Sequence, residues 1–213
     1  RALHEGQRVW EWRAGQPKES AIFDRAMRSL SGAVAAALAE NYDFSRFGTV
    51  VDVGGGNGSV LAAILVHSPD LHGIVFDQSH VVSGASEVLA NAGVGARCEI
   101  VGGDFFGTVP TGGDAYMLKS VLHDWEDEPA VRVLQNVRAV CRPESALLVV
   151  ERVVGPPNES APVKFSDLNM LVAPGGEERT MDEWAALFQA GGFRLLNDQE
   201  LGGGWSVLEG TPV

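Results

Sequence analysis

Short apolar runs divide the chain at regular intervals. Seven of these runs, bounded by turn residues, predict strands at residues 49–53, 73–77, 97–101, 114–119, 146–151, 193–199 and 205–209. The run 146–151 is almost entirely apolar, as expected of a strand that is buried on both faces of a parallel sheet.

Between the runs, apolar residues recur every three or four positions, which predicts amphipathic helices. Pro17 opens one predicted helix, and residues 33–40 predict a second. Residues 81–91 predict another, and Thr180 with Glu183 has the form of a capping box before a later one. The alternation of strands and helices through the first five runs predicts an α/β fold with a doubly wound parallel sheet.

A cluster of glycines follows the first predicted strand directly. Gly54, Gly55, Gly56 and Gly58 occupy four of five positions, and a helical pattern begins at Ser59. A strand, a glycine turn and a helix form the opening unit of a doubly wound sheet, with the ligand at the carboxyl end of the strand. Ser59 stands where a dinucleotide fingerprint has Gly or Ala, so the match to that motif is imperfect.

Acidic residues end the next two predicted strands. Asp77 is placed to accept hydrogen bonds from ribose hydroxyls, a feature that NAD proteins and S-adenosylmethionine proteins share. Asp104 precedes Phe105, which sets a carboxylate beside an aromatic ring. That pair suits the exocyclic amine and the face of adenine, and it favours S-adenosylmethionine over NAD.

Composition narrows the range of partners. The 213 residues carry a formal net charge of −12, which argues against nucleic acid and anionic membranes as partners. Cys98 and Cys141 have no metal or disulfide spacing and are interpreted as reduced residues of a cytoplasmic protein. No apolar run is long enough to span a bilayer.

Five motifs occur in the order and at the spacing of a known family. They are residues 51–58 (VDVGGGNG), 76–77 (FD), 102–106 (GGDFF), 123–125 (HDW) and 175–180 (GGEERT). Together they resemble the catalytic domain of the plant and bacterial small-molecule O-methyltransferases, the caffeate-type family with its actinomycete relatives. The resemblance covers the chain from about Phe23 to the C terminus. It implies the class I, Rossmann-like methyltransferase fold, with a mostly parallel seven-stranded sheet and a reversed last strand.

The resemblance also implies a domain organisation. Residues 46–213 would form the S-adenosylmethionine-binding catalytic domain. Residues 1–45 would be a helical lead-in from an N-terminal dimerisation domain that this chain lacks, and the chain is expected to begin inside a helix at Arg1. Val9, Trp10 and Trp12 form an apolar cluster consistent with such a lead-in. The expected partners are a small aromatic substrate and, through the missing region, a second copy of the protein.

The family resemblance also implies roles for individual residues of these motifs. The resemblance assigns S-adenosylmethionine, whose product is S-adenosylhomocysteine, to Gly54, Gly56, Asp77, Asp104, Phe105, Lys119 and Trp125. It assigns the acceptor to Met27, Met170 and Asp124. The segment before Pro174 is shorter than in plant members, which leaves the acceptor-lining residues there open.

His123 is the candidate general base. A phenol has a pKa near ~10, so that a neutral-pH reaction needs a positioned base as attack begins. The resemblance places Glu151 beside the imidazole, where a carboxylate orients the ring, and makes Glu178 the second carboxylate. The acidic run 126–128 is interpreted as a charge cluster at a helix N-terminus, and no metal is expected.

The expected reaction is methylation of an aromatic hydroxyl of a specialised metabolite. Two alternatives keep the fold: an S-adenosylmethionine-binding homologue with a non-methylating tailoring activity, and a non-catalytic binding subunit. An NAD oxidoreductase is a third, disfavoured by Ser59, Asp104 and Phe105. The sequence does not name the methyl acceptor.

Overall fold

A computed structural model describes residues 3–4, 7–8, 12, 15–159, 161–172 and 174–213. Strands β1 (Leu3–His4) and β2 (Gln7–Arg8) pair antiparallel near the start of the chain. Arg1, where the chain is expected to begin inside a helix, lies outside the described residues, and the described residues 3–4 and 7–8 are extended. Of the apolar cluster, Val9 and Trp10 lie outside the described residues.

The main sheet contains all seven predicted strands. They are β3 (Thr49–Val53), β4 (His72–Asp77), β5 (Cys98–Gly102), β6 (Ala115–Lys119), β7 (Ala146–Arg152), β8 (Phe193–Gly202) and β9 (Trp205–Pro212). Their spatial order is β5-β4-β3-β6-β7-β9-β8. Strand β9 runs antiparallel to both of its neighbours, whereas β3 to β7 pair in parallel. The predicted mostly parallel sheet with a reversed last strand is confirmed.

Six helices accompany the strands in the described part of the chain. They are α1 (Pro17–Asn41), α2 (Ser59–His67), α3 (Ala85–Asn91), α4 (Asp127–Val140), α5 (Ala161–Val172) and α6 (Met181–Ala190). The prediction of two helices before β3 is wrong, because α1 continues through Gly32, whose α-carbon has open space beside it. The predicted helix 81–91 opens as a 3-10 turn, Val82–Gly84. The capping box of Thr180 and Glu183 at α6 is confirmed.

The sheet is buried on both faces. In β3, Val50 belongs to a core shared with α1, α2 and α3, while its neighbour Val51 belongs to a core shared with α4 and α6. In β7, Leu148 belongs to the first of these cores and Leu147 to the second. The side chains of these two leucines and of the two valines have no exposed surface. Alternate side chains of a strand point to opposite faces, so these continuous apolar runs produce a three-layer α/β/α structure.

The order of the strands reverses between β3 and β6. In an open α/β sheet, ligands bind outside the carboxyl ends of the strands at such a point. Here the carboxyl ends of β3, β4 and β5 on one side, and of β6 and β7 on the other, meet at one edge of the sheet. Across the described residues, every helix is too short or too polar to traverse a bilayer.

Candidate active site

The glycine turn after β3 has the backbone conformation that its sequence predicts. Gly54, Gly56 and Gly58 have φ values of +75°, +61° and +76°, a region in which glycine avoids the steric cost of a side chain. A Cβ on Gly54 would lie 2.6 Å from Val121 Cγ2, so the glycine lets the segment after β6 approach the turn. Around Gly56 nothing lies within 4 Å of the position of a Cβ, and the turn is open to a ligand there.

Asp77, at the end of β4, lies directly against that turn. Its Oδ2 accepts a hydrogen bond from the backbone N–H of Gly56 at 2.9 Å, and its Oδ1 accepts one from Gln78 at 2.6 Å. A carboxylate offers about four lone-pair positions. The same group therefore has the capacity to accept from the hydroxyls of a ribose as well.

Aromatic rings lie at the end of β5. The Phe105 and Trp125 ring centroids are 6.3 Å apart and those of Phe106 and Trp125 are 4.7 Å apart, both edge-to-face. Phe105 Cε1 lies 3.8 Å from the position that a Gly54 Cβ would take. Asp104 Oδ1 accepts from the backbone N–H of Phe106 at 2.9 Å. Phe106 was not among the predicted site residues, although its place in the motif GGDFF could have indicated it.

Two charged groups lie beneath the turn. Asp52 is 2% exposed; burial, followed by the Asp77 charge, raises the pKa of its carboxyl to about 7, against the effect of Lys119. Lys119, at the end of β6, has its Nζ 5.1 Å from the centroid of the Trp205 ring. Burial lowers the pKa of this ammonium group, and the charges of Glu151 and Asp52 oppose that effect.

These residues fit the S-adenosylmethionine that the family resemblance implies. The open space beside Gly56 would let S-adenosylmethionine approach the backbone of the turn. The Asp77 carboxylate lies next to that space and supplies a hydrogen-bond acceptor. Asn57 Nδ2, in the turn, and Asp52 Oδ2, in the preceding strand β3, are buried without a hydrogen-bond partner. Such atoms are rare among buried polar groups and are a feature of sites that take a ligand or water.

His123, Glu151 and Glu178 meet on the other side of the glycine turn. His123 lies in the 3-10 turn Leu122–Asp124 after β6. Its Nδ1 is 3.4 Å from Glu151 Oε2 and 3.3 Å from Glu178 Oε1. The imidazole side chain is 12% exposed, whereas neither carboxylate side chain has exposed surface. The predicted base and both predicted carboxylates thus come together from three separate segments.

Glu151 is fixed by the backbone of the turn that carries the histidine. Its Oε1 accepts from the N–H groups of Val121 at 2.9 Å, Leu122 at 3.1 Å and His123 at 3.4 Å. One oxygen therefore organises the turn while the other faces the imidazole. Several backbone N–H donors stabilise the ionised form of a carboxylate, which offsets part of the cost of burying it.

Glu178 is held by helix α5. Its Oε1 accepts from Ser166 Oγ at 2.7 Å, and its backbone N–H donates to Asp167 Oδ1 at 2.9 Å. The preceding residue, Glu177, donates its N–H to the carbonyl oxygen of His123 at 2.9 Å. The segment before α6 is therefore pinned to both α5 and the histidine turn.

This arrangement makes His123 a stronger base than an isolated histidine. Burial lowers the pKa of its imidazole, but Glu151, Glu178 and Asp124 outweigh burial and raise that pKa to about 9. Burial raises the pKa of Glu151 despite the nearby imidazole. Burial also acts to raise the pKa of Glu178, but the hydrogen bonds from His123 and Ser166 prevail and lower it.

Comparison with known proteins identifies the family to which this site belongs. Residues 3–194 match the O-methyltransferase domain family. The chain belongs to that family. The phenazine O-methyltransferase PhzM of Lysobacter antibioticus is 42% identical over 208 residues, covering 98% of this chain and 61% of that protein. The mitomycin biosynthesis 6-O-methyltransferase of Streptomyces lavendulae is 41% identical over 199 residues, covering 93% of this chain and 57% of that protein.

Solved structures agree with the sequence relatives. The crystal structure of LaPhzM superposes with a TM-score of 0.94 at 42% identity, covering 98% of this chain and 63% of that one. The O-methyltransferase NcsB1 from neocarzinostatin biosynthesis, in complex with S-adenosylmethionine and 2-hydroxy-5-methyl naphthoic acid, superposes with a TM-score of 0.90 at 32% identity, covering 99% of this chain and 62% of that one. The chain thus spans about 60% of the length of these relatives.

Arg179 of this O-methyltransferase domain is a site residue that the sequence analysis missed. Its guanidinium group is 1% exposed and donates to the carbonyl oxygens of Leu122 at 3.2 Å and Trp125 at 2.9 Å, on either side of His123. It also donates to Asp127 Oδ1 at 2.9 Å and Glu177 Oε1 at 3.0 Å. Its position after two glutamates in the motif GGEERT was the available signal, but a charge in a predicted loop is usually solvated.

The structure describes only part of the set of residues predicted to bind the methyl acceptor. Asp124 Oδ1 lies 3.6 Å from His123 Nε2, beside the imidazole. Met170 lies on α5, half-buried, one turn beyond Ser166. Met27 is on α1, and its side chain lies outside the described residues. The roles of these three residues in the O-methyltransferase domain stay predictions.

Proposed function

We propose that the protein transfers a methyl group from S-adenosylmethionine to an aromatic hydroxyl of a specialised metabolite, with His123 as general base. The observation that carries this proposal is the imidazole of His123, held at Nδ1 by two buried carboxylates at the ligand-binding edge of the sheet. The phenazine and mitomycin O-methyltransferases are relatives whose names support an aromatic acceptor.

The methyl donor supplies a methyl group on a sulfonium sulfur, which a nucleophilic oxygen takes up by in-line displacement. The chain's own residues prepare that oxygen. Glu178 Oε1 accepts the Nδ1 proton, and Glu151 Oε2 lies 3.4 Å from the same nitrogen, so that the imidazole, once it is neutral, presents Nε2 as the proton acceptor. Asp124 Oδ1, 3.6 Å from Nε2, stabilises the charge that the ring gains.

The raised pKa of His123 suits a phenolic proton. A value of about 9 lies close to the pKa of ~10 typical of a phenol, so that proton transfer from the acceptor to the neutral imidazole is only slightly uphill. An unperturbed histidine would face roughly 5 kcal/mol for the same transfer. Because a pKa of about 9 leaves the imidazole mostly protonated at neutral pH, the neutral base becomes available as pH rises, and the rate of the chemical step should rise with pH through that value.

The cofactor roles follow from the positions of the strand ends. We assign Gly54 and Gly56 to backbone contact with the methionine end, Asp77 to the ribose, Asp104 and Phe105 to adenine, Trp125 to the adenine's flank, and Lys119 to a polar contact beneath the turn. These assignments rest on the open glycine turn, the acidic ends of β4 and β5, and the aromatic rings beside them.

We further propose that the reaction needs no metal. One ligand atom each from His123, Glu151 and Glu178 lies within 4.8 Å of the others, close enough for a cation to be considered. However, Glu151 Oε1 already accepts three backbone N–H groups and Glu178 Oε1 accepts from Ser166. His123 Nδ1, the nitrogen that faces both carboxylates, is assigned as the hydrogen-bond donor to Glu178 Oε1, and a nitrogen that carries a proton cannot ligate a metal.

The longer protein is proposed to be a cytoplasmic homodimer, with residues 1–45 leading from a dimerisation domain and residues 46–213 forming the catalytic domain. Support comes from the length of the relatives, of which this chain covers 61% and 57%, and from an apolar face on α5. Phe165, Leu168, Leu171 and Val172 are between 57% and 73% exposed there.

Free thiols at Cys98 and Cys141 suit a reducing compartment. Light scattering of the full-length protein tests the dimer, and a monomer contradicts it.

The central experiment is a methyl-transfer assay with S-adenosylmethionine and a panel of phenols, hydroxynaphthoates and hydroxyphenazines, read by mass spectrometry. The wild type should methylate at least one of them. His123→Ala should slow the chemical step by ~10²–10⁴-fold while S-adenosylhomocysteine binds as before. Glu151→Gln should reduce the rate of the chemical step less than His123→Ala does, since Glu151 orients the imidazole and does not itself remove the proton.

The matched control is His72→Ala, which removes an exposed histidine at the amino end of β4, the edge of the sheet opposite the site. It should leave the rate unchanged. A His123→Ala rate within a few-fold of the wild type would refute general-base catalysis. Cofactor binding without turnover of any acceptor would favour a non-catalytic subunit instead.

A further inference from the structure

Behind the predicted carboxylate Glu178 lies a chain of polar side chains that passes through helix α5 and ends at strand β7. Arg152 Nη1 is 2.5 Å from Ser166 Oγ, Ser166 Oγ is 2.7 Å from Glu178 Oε1, and Glu178 Oε1 is 3.3 Å from His123 Nδ1. The same oxygen of Glu178 therefore faces both the serine and the imidazole. The chain links the carboxyl end of β7, helix α5 and the histidine turn.

The direction of each hydrogen bond in this chain is fixed by chemistry. A guanidinium group only donates, so Ser166 Oγ must accept from Arg152. The hydroxyl has one proton, and with a lone pair engaged by Arg152 it donates that proton to Glu178 Oε1. Two donors, the Ser166 hydroxyl and the imidazole Nδ1–H, consequently share one carboxylate oxygen.

The two carboxylates differ in what holds them. Glu151 is anchored by the backbone N–H groups of the histidine turn itself. Glu178 is anchored by a side chain of α5, the helix that also carries Met170 one turn later. Residues four apart share a face of a helix, so Ser166 and Met170 move together when α5 shifts.

We propose that Ser166, oriented by Arg152, is a positioning residue for the base: its hydroxyl shares Glu178 Oε1 with the imidazole, weakens the negative charge that this oxygen presents to Nδ1, and so couples the basicity of His123 to the position of α5. The inference rests on the proposed function for its catalytic meaning. Arg152 is itself placed by Trp205, with its guanidinium carbon 4.9 Å from the ring centroid.

The sign of the coupling follows from the groups that face the imidazole. These are Glu151 from β7, Glu178 from the segment before α6, and Asp124 from the histidine's own turn. Lys119 acts on Glu151, and Arg152 acts on Glu178. The hydroxyl draws negative charge away from the oxygen that faces Nδ1. Without it, Glu178 Oε1 interacts more strongly with the imidazolium, so the pKa of His123 should rise.

The test measures the His123 titration by ¹⁵N NMR of histidine-labelled protein saturated with S-adenosylhomocysteine, with the signal assigned from a His123→Ala spectrum. Ser166→Ala should raise the pKa of His123 by about half a unit or more. Ser166→Thr, which keeps the hydroxyl, should restore the wild-type curve. Asn169→Ala, an exposed change on the same helix, should leave it unchanged. A Ser166→Ala curve that superimposes on the wild type, or moves to lower pH, overturns the proposal.

A double variant tests whether Arg152 acts on the base through Ser166 or independently of it. If Arg152 acts chiefly through Ser166, then Arg152→Met should raise the pKa of His123 in the same direction, and adding it to Ser166→Ala should raise that pKa by less than it does in the wild type, because only the direct charge effect of Arg152 on Glu178 remains. Additive shifts would overturn the serial arrangement. In the methyl-transfer assay, kcat of Ser166→Ala should fall about 3–30-fold at neutral pH, with an unchanged Kd for S-adenosylhomocysteine. The titration of His123 requires no methyl acceptor. It can therefore test the role of Ser166 even if the proposed methyl transfer is not observed.

Discussion

A Cβ on Gly176 would lie 2.0 Å from the carbonyl oxygen of His123 and 2.5 Å from the carbonyl carbon of Asp124. Both atoms are backbone, which cannot give way as the end of a flexible side chain can. The missing side chain lets the segment before α6 pass directly over the histidine turn, where Glu177 donates its N–H to the same His123 oxygen. Two residues beyond Gly176, Glu178 then reaches the imidazole.

Gly176→Ala is therefore expected to displace the segment and to destabilise the fold by about 2–3 kcal/mol, in the range of overpacked sites. Thermal and urea unfolding would measure the loss. Gly84→Ala is the matched control, because nothing lies within 4 Å of its Cβ position and its φ is −95°; it should change stability by less than about 0.5 kcal/mol. Equal effects of the two substitutions would contradict the packing explanation.

Asp77→Ala should weaken binding of S-adenosylhomocysteine by about 1–3 kcal/mol, since a charged acceptor is lost. Isothermal titration calorimetry measures this directly. Asp70→Ala removes an exposed carboxylate from the loop that precedes β4, at the opposite edge of the sheet, and should bind as the wild type does. An unchanged affinity in Asp77→Ala would remove Asp77 from the cofactor site.

Folding stability should depend on pH through His123. Its pKa is raised from 6.5 to about 9 in the folded protein, so the protonated imidazole contributes fully below pH 6.5 and its contribution disappears as pH rises through 9. By linkage the contribution is roughly 3 kcal/mol. Urea denaturation from pH 6 to pH 10 should show wild-type stability falling relative to His123→Gln over that interval. Parallel curves for the two proteins would mean that the imidazole is not paired as the structure shows.

Arg179→Lys should destabilise the protein by about 2–4 kcal/mol, because a lysine cannot serve two carbonyl oxygens and two carboxylates from one planar group. The histidine turn loses its support at Leu122 and Trp125, so the methyl-transfer rate should fall as well. Arg132→Lys, at an exposed pair with Glu128 on α4, is the control and should be nearly neutral. A neutral Arg179→Lys would show that the buried contacts contribute little.

Much of the fold was predictable from local pattern. Continuous apolar runs predicted the strands of a sheet covered on both faces, and Val50 and Val51 indeed face different cores. The glycines at 54, 56 and 58 were predicted to form the turn after the first strand, and all three have positive φ. The break assigned near Gly32 was wrong because α1 runs on past it, with Val34 and Leu38 buried against the sheet's helical layer; tertiary packing outweighed a local helix breaker.

The sequence by itself determined the order of strands and helices, the glycine turn and the acids at the ends of β4 and β5, because these depend on residue spacing and backbone conformation. It also indicated His123 and Glu178 through their motifs, and Glu151 through the family resemblance. Only the tertiary structure decided that Glu151 holds three N–H groups of the histidine turn, that Ser166 and Arg152 stand behind Glu178, and that Arg179 is buried. Those contacts join residues 12 to 57 positions apart, and the direction in which a charged side chain turns is set by the surfaces that fold against it rather than by its neighbours in sequence.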